Sequence, residues 1–375
     1  MRNVTLSGDR WYEVDNTDDV NSPALLVYPD RIENNIRKMV ETAGDVNRLR
    51  PHVKTHKTPE IIKMQIRHGI SKFKCSTISE AEMSAKCGAG DILLAMQPVG
   101  PVIERFFRLK QIFPDTKFSC ITDTEEIIRQ FADSALKYGR EINLWIDINN
   151  GMNRTGIEPG EKAAQLYEMI NSLPMLKAEG LHVYDGHIRG RDFKVRRENT
   201  DEAFIQVGKL AERLRKSNPD RVQIVAGGSP TFGVHAMREG VECSPGTVLL
   251  WDYGYSSSLP DMEFLHAAVL MTRIVSKPSD GLICLDLGHK SLASEMPHPR
   301  IRFFNLGDYT VVNHSEEHLV IKAPGADKMK TGDILYGLPW HICPTVDRHD
   351  FVTVIENNHA TGRWNVEARK KIISI

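Results

Sequence analysis

Lys54 stands in the run Arg50-Pro51-His52-Val53-Lys54-Thr55-His56-Lys57, at the end of the first segment that reads as a β-strand. A lysine in such a place can be partly desolvated, which lowers its pKa and makes its amine a Schiff-base nucleophile. A plain surface lysine at a strand end has the same local sequence. Far downstream lie two glycine clusters, Ala226-Gly227-Gly228-Ser229-Pro230-Thr231 and Ser244-Pro245-Gly246-Thr247. Glycine lets backbone N–H groups approach a phosphate and the Ser and Thr hydroxyls add donors, although either cluster alone reads equally as a turn. The run Asp147 to Gly156 carries Arg154. A guanidinium has no acceptor and stays protonated. Facing a pyridine nitrogen, it would keep that nitrogen unprotonated and make the ring a weaker electron sink; a surface ion pair is the other reading. Finally, His341 and Cys343 are two residues apart. In an extended segment both would point to one face, and imidazole plus thiolate suits zinc. With 14 His and 6 Cys, such a pair arises by chance in roughly one chain in five.

The elements that must position these residues fall into two textures. Candidate strands end near Lys54 and then run 73–75, 92–96, 118–121, 142–148, 181–184, 222–225 and 241–247. Amphipathic helical patterns lie between them, at 59–68, 79–87, 102–112, 123–137, 161–170 and 200–216, with Ser79 and Glu82 read as one capping pair. Eight strands alternating with helices predict an α/β fold, a (β/α)8 barrel, and no Gly-x-Gly-x-x-Gly fingerprint follows the first strand to favour an open sheet. Barrel enzymes place their chemistry at the C-terminal strand ends and their phosphate site after strands seven and eight. The two glycine clusters fall at those two loops, and their joint placement is more informative than either alone. After about residue 255, short alternating segments between Pro, Gly and Asp clusters predict an antiparallel β domain. The expected division is a barrel over 23–252 and a β domain over 255–375, with residues 1–22 a candidate addition to the latter.

Lys plus Arg total 48 against 49 Asp plus Glu, a balance that excludes a general nucleic-acid or membrane-surface binder and leaves a small metabolite as the expected ligand. No apolar run approaches the roughly 20 residues a spanning helix needs, and residues 1–19 are polar and acidic, so a cytoplasmic protein is expected. The six cysteines form no paired framework and read as reduced thiols, five of them buried and Cys343 the exception.

Taken together, these residues resemble the D-threonine aldolase and D-serine dehydratase family of pyridoxal-phosphate (PLP) enzymes, which share the alanine-racemase-type barrel. The likeness covers nearly the whole chain. Its most specific part is the 50–57 run; it continues through 22–27, 147–156, both glycine loops, Asp286 to Ser291, Glu317-His318 and His341 to Pro344. The resemblance implies that Lys54, not Lys57, holds PLP, that Arg154 faces the ring nitrogen, and that Gly228, Ser229, Gly246 and Thr247 hold the phosphate. Tyr184 matches a family tyrosine near the cofactor. His341 and Cys343 match the family's metal position, for Zn2+ or another divalent ion, with Asp347, His349 and Asp350 as candidate outer partners. A cysteine there goes with the dehydratases and an aspartate with the aldolases. The aldolases also carry a histidine six residues after the tyrosine, where this chain has Gly190; His187 is the candidate replacement. The expected reaction is therefore dehydration and deamination of a D-3-hydroxy amino acid such as D-serine. Retro-aldol cleavage is the alternative, and a racemase or a non-catalytic PLP-binding protein the remaining readings. A homodimer is implied by the fold type.

Overall fold

The structure is a computed structural model that describes residues 10–217, 222–304 and 306–371. Its contacts group the chain into two compact units, one of residues 38–54, 61–246 and 370–371, the other of 10–37, 55–60 and 247–369.

The first unit is built on a parallel sheet of seven strands in sequential order: Lys72–Cys75, Asp91–Leu94, Lys117–Thr122, Ile142–Ile148, Leu176–Val183, Gln223–Ala226 and Val241–Cys243. The eighth stave is the segment 49–52. Arg50 N donates to Cys243 O (2.9 Å), His52 N to Pro245 O (2.8 Å), and Lys74 N to Pro51 O (2.9 Å), which closes the last strand onto the first. It forms bridges rather than a full strand because Pro51 has no N–H to give and the chain turns at Val53–Thr55. The barrel expectation thus holds, with its first member reduced to a hinge between two neighbours.

The helices follow from local sequence. In Glu125–Tyr138, Thr124 accepts from Ile127 N and Gly139 ends the helix in the left-handed region, while Ile127, Ile128, Phe131, Ala132 and Ala135 form one buried stripe. Burying Ile128 and Phe131 stabilises by about 1.5–3 kcal/mol each. Among the helix starts that differ from the sequence reading are two in this unit. Thr77 caps Ile78–Lys86, with Glu80 accepting from Ser76 N at 2.6 Å, so the capping pair sits two residues before Ser79 and Glu82. The helix expected at 200 begins at Phe193.

The barrel interior is layered. Near the strand N-termini, Arg50 is fully buried between Asp91 (2.7 Å) and Glu242 (2.7 Å). Above it, Leu93, Ile121, Trp145 and Val225 form an apolar layer. Trp145 Nε1 satisfies itself on Ser119 Oγ at 3.1 Å. Above that, the C-terminal strand ends present polar side chains.

The second unit is a β sheet in the order Thr310–His314, Leu319–Lys322, Leu282–Leu285, Ala268–Ser276, Ala24–Val27, Phe351–Glu356 and His359–Asn365, with Ile334–Pro339 and Ile301–Phe303 branching from Ala268–Ser276. Ala24–Val27 corrects the expected boundary at residue 23. This wholly buried strand pairs antiparallel with 268–271 and parallel with 353–354, so both its edges are satisfied in the second sheet and it is not a barrel stave. Residues 247–252 group with it as well. The core of this unit is aromatic: Tyr12 stacks on Phe304 at 3.9 Å, and Arg31 lies 3.6 Å over Trp11. Among the described residues no helix is long and apolar enough to cross a membrane. None of the six cysteines is in a disulfide, and Cys87 as well as Cys343 is only partly buried.

Candidate active site

The turn that closes the barrel also sets Lys54. His52 Nδ1 accepts from Lys54 N (3.3 Å), and its Nε2 meets Ser76 Oγ (3.1 Å), so the histidine pins the turn to the neighbouring strand. Lys54 Nζ then reaches to 5.8 Å from the centre of the Tyr184 ring. Lys57, three residues on, is paired with Asp347 at 3.0 Å. Of the two lysines it is therefore Lys54 whose amine lies in the barrel mouth.

Lys54 lines a cavity of about 380 Å³ with Lys74, Asp147, Arg154, His182 and Tyr184 among its walls. Three cations surround the tyrosine: besides Lys54, Arg154 Cζ lies 4.8 Å and Lys74 Nζ 5.7 Å from its ring centre. Burial, then the charge of Lys54, pushes the Lys74 amine down to about 7, against the opposing pull of Asp185 and Asp147. Asp147 and His182 form a buried pair, Oδ1 to Nδ1 at 2.7 Å. Burial alone would raise the Asp147 carboxyl, but the hydrogen bond and charge of His182 outweigh it and hold the pKa below the usual range. Burial lowers His182, and its Nε2 has no hydrogen-bond partner among the described residues.

The first glycine loop is built for close approach. Gly227 has φ +77°, and a Cβ there would sit 2.6 Å from His235 Cδ2 and 2.8 Å from Thr231 Oγ1. Gly227 N donates to Val183 O at 2.9 Å, tying the loop to the strand that delivers Tyr184. A carboxylate that the sequence reading missed holds the loop from behind. Asp185, 1% exposed, accepts from Thr231 Oγ1 (2.8 Å) and His235 Nε2 (2.7 Å). Thr231 Oγ1 in turn accepts from Gly228 N at 3.3 Å. A Cβ on Gly228 would lie 3.1 Å from the Tyr184 ring, so this loop abuts the cavity wall. Gly246 N meets Ser229 Oγ at 3.3 Å, which joins the two loops, and Thr247 opens the next turn.

The residues fit PLP by the chemistry of their donors. Amine, guanidinium and tyrosine ring meet in one cavity, the backbone N–H groups of a positive-φ glycine loop lie beside it, and a buried imidazole nitrogen is unsatisfied.

In the second unit, His341 and Cys343 meet, but not on a strand. The strand ends at Pro339, His341 is extended, and Ile342–Val346 is a helical turn that brings Cys343 back. Glu295 Oε1 lies 2.6 Å from His341 Nδ1, which leaves the other ring nitrogen for a ligand. Asp252 accepts from Ile342 N (3.0 Å) and Tyr255 N (2.8 Å), fixing the turn; burial pushes its carboxyl up to about 6. Burial opposes charge on His341, yet Cys343, Asp252 and Glu295 raise it to about 9. Cys343 Sγ lies 3.3 Å from Thr55 Oγ1 and 3.4 Å from Thr247 Oγ1, the residues that follow Lys54 and Gly246 in the chain. Among the described residues no group of three or more His, Cys, Asp or Glu could hold a metal. A nitrogen–sulfur pair with an oriented histidine fits a metal that keeps open positions. Glu295 and Asp252 had no sequence signal, being 46 residues from His341 and 90 from Ile342.

Several expected outer residues do other work. Asp347 pairs with Lys57, His349 Nε2 with Ser291 O (2.8 Å), and Asp350 with Arg369. His187 is exposed and lies over the loop at Gly151, where a Cβ would be 3.0 Å from its Nε2; it does not line the cavity of Lys54. Gly190 is exposed at φ +142°.

A sequence profile of the alanine racemase N-terminal domain matches residues 27–255, and one of a serine dehydratase domain matches 267–355. The chain is 28% identical to the D-threonine aldolase of an Arthrobacter species, over 93% of each protein. It is 25% identical to the D-serine dehydratase of Dictyostelium discoideum, over 92% of this chain and 96% of that one. The crystal structure of D-threonine aldolase from Filomicrobium marinum superposes with a TM-score of 0.87 at 27% identity, covering 95% of this chain and 97% of the other.

Proposed function

The chain belongs to the family of the alanine racemase N-terminal domain, within it to the group of D-threonine aldolases and D-serine dehydratases; on that premise we propose that it is a PLP- and metal-dependent lyase dehydrating D-3-hydroxy amino acids such as D-serine. The observation that carries the reading is the amine of Lys54 in the mouth of the barrel, in one cavity with Arg154 and Tyr184.

When bound, PLP supplies an electron sink for charge developing at the substrate's Cα, and a divalent metal such as zinc supplies Lewis-acid polarisation of the β-hydroxyl. The chain's own residues do the rest. Lys54 would hold the cofactor, and its amine is the group placed to take the proton from Cα. Arg154 would donate to the ring nitrogen and, staying protonated itself, keep that nitrogen without a proton. Tyr184 would pack against the cofactor ring. Gly228, Ser229, Gly246 and Thr247 offer N–H and hydroxyl donors to the phosphate. His341, oriented by Glu295, and Cys343 would hold the metal. No step is assigned to His187.

Dehydration is favoured by Cys343 at the second metal position and by Gly190 where an aldolase carries histidine. Retro-aldol cleavage to glycine and an aldehyde is the second reading, supported by the likeness to D-threonine aldolases. The protein is read as a cytoplasmic homodimer acting on a small D-amino acid. The test is to incubate the purified protein with PLP and zinc and to offer D-serine, D-threonine and D-threo-3-hydroxyaspartate. Keto acid and glycine are assayed separately. Keto acid plus ammonia supports the proposal. Glycine without keto acid from D-threonine replaces it with the aldolase. D/L interconversion that survives chelation points to a racemase, and bound PLP with no turnover of any substrate to a carrier.

A further inference from the structure

We propose that Lys74 is a second catalytic acid of this site, delivering a proton to the substrate's β-oxygen while Lys54 works at Cα. The inference rests on the lyase reading and gives that reaction an acid at its leaving group. The aldolase-type histidine is absent at Gly190, and His187 lies outside the cavity. The proton needed at the β-oxygen must come from a side chain in the cavity, or from solvent.

Lys74 has the placement. It is the third residue of Lys72–Cys75, bridged to His52 two residues before Lys54, and lines the same cavity. It is 2% exposed, yet no hydrogen bond or ion pair engages its Nζ among the described residues. Neighbouring lysines are paired: Lys72 with Glu242, Lys57 with Asp347, Lys117 with Glu179. A buried amine left without a counter-ion is costly unless its proton is part of its work. The groups that act on it are Lys54 and Arg154, which disfavour its charge, and Asp185 and Asp147, which favour it; their balance with burial leaves the amine near half-protonation at about pH 7. Asp147 takes the Nδ1 side of His182, so the unsatisfied Nε2 is the lone-pair side, and His182 lines the same cavity as Lys74.

The step balances. Lys54 Nζ takes the Cα proton, the Cβ–O bond breaks with its electron pair on oxygen, and a Lys74 N–H protonates that oxygen so that water leaves. Solvent then restores one proton to Lys74 and removes one from Lys54.

The test separates the two lysines. In D2O with D-serine, PLP and zinc, Lys74→Met should continue to incorporate deuterium at Cα while keto acid formation falls at least about 100-fold. Lys74→Arg keeps a cation but cannot give up its proton as an acid at this pH, and it should fail in the same way. In the wild type, product formation should fall as pH rises through about 7, as the acid is lost. A second readout needs no turnover. In the cofactor-free protein, the pH at which Lys74 becomes half-reactive to an acylating reagent, read by peptide mass spectrometry, should lie near 7, against about 10.4 for an ordinary lysine. Product formation unchanged in Lys74→Met, restoration by Lys74→Arg, exchange and product falling together, or an ordinary reactivity midpoint would each overturn the proposal. A wild type with neither exchange nor product would instead remove the lyase reading, and this inference with it.

Discussion

Replacing Asp185 by Asn tests whether the first glycine loop is a phosphate cradle held from behind. The carboxylate accepts two hydrogen bonds, from Thr231 Oγ1 at 2.8 Å and His235 Nε2 at 2.7 Å. The imidazole cannot adapt. Arg238 Nη1 donates to His235 Nδ1 (3.2 Å), so Nε2 must carry the hydrogen and needs an acceptor. The substituted side chain would therefore turn its carbonyl toward His235 and its amide N–H toward Thr231. The threonine hydroxyl must then accept from both the new amide and Gly228 N, and its own hydrogen loses its partner. A hydrogen bond to a charged group contributes about 1.5–3 kcal/mol. Asp185 is 1% exposed, so solvent does not replace it. If that loss appears wholly as disorder of the loop, PLP affinity should fall roughly 10- to 150-fold. The assay is to strip the cofactor with hydroxylamine and to titrate PLP back by its absorbance, with thermal unfolding followed in parallel on the cofactor-free protein. Weakened PLP binding with an unchanged apo melting temperature locates the effect in the cradle; a lowered apo melting temperature alone locates it in the barrel wall. PLP affinity within about twofold of wild type and no change in stability would refute the reasoning.

Three further perturbations bear on the proposed metal pair and on the barrel. Cys343→Ala removes the sulfur donor and should leave PLP absorbance intact while zinc, measured by elemental analysis of the dialysed protein, is lost along with keto acid formation. Glu295→Gln keeps the size of the residue 2.6 Å from His341 Nδ1 but removes its charge; zinc affinity, measured by competition with a chelating dye, should fall about 10- to 100-fold. At the other end of the barrel, burial raises the Asp91 carboxyl, but Arg50's charge and hydrogen bonds outweigh it and hold the folded pKa below the usual range. Its contribution to stability is therefore present above the unfolded pKa of about 4 and lost as pH falls through the lower folded value. Asp91→Asn leaves Arg50 with one partner and should cost about 3 kcal/mol at pH 7 by urea denaturation. The difference from wild type should shrink below about pH 4; a constant difference at every pH would contradict the ion-pair account.

Much of this was legible in one dimension. The alternation of short aliphatic runs with amphipathic ones specified a parallel sheet wrapped by helices, because a strand buried on both faces and a helix buried on one have different apolar periods. The proposed cofactor lysine and phosphate loops could be named from the sequence because each is a local run whose glycines, hydroxyls and lysine are consecutive. His341 and Cys343 were readable for the same reason, although the strand expected beneath them is a turn.

What the sequence could not reveal is everything made by residues distant along the chain. Asp185 becomes a support only when Thr231 and His235, 46 and 50 residues away, fold onto it. Glu295 and Asp252 become partners of the metal pair in the same manner. Ala24–Val27 reads as any buried strand; only pairing with 268–271 and 353–354 puts it in the second sheet. Lys74 was an unremarked residue of a four-residue strand until the barrel closed, where burial beside Lys54 disfavours its charged amine more than Asp185 and Asp147 favour it. Local runs determine which chemistry the chain can carry. Desolvation and long-range pairing, which have no local pattern, decide which of its ordinary residues take part.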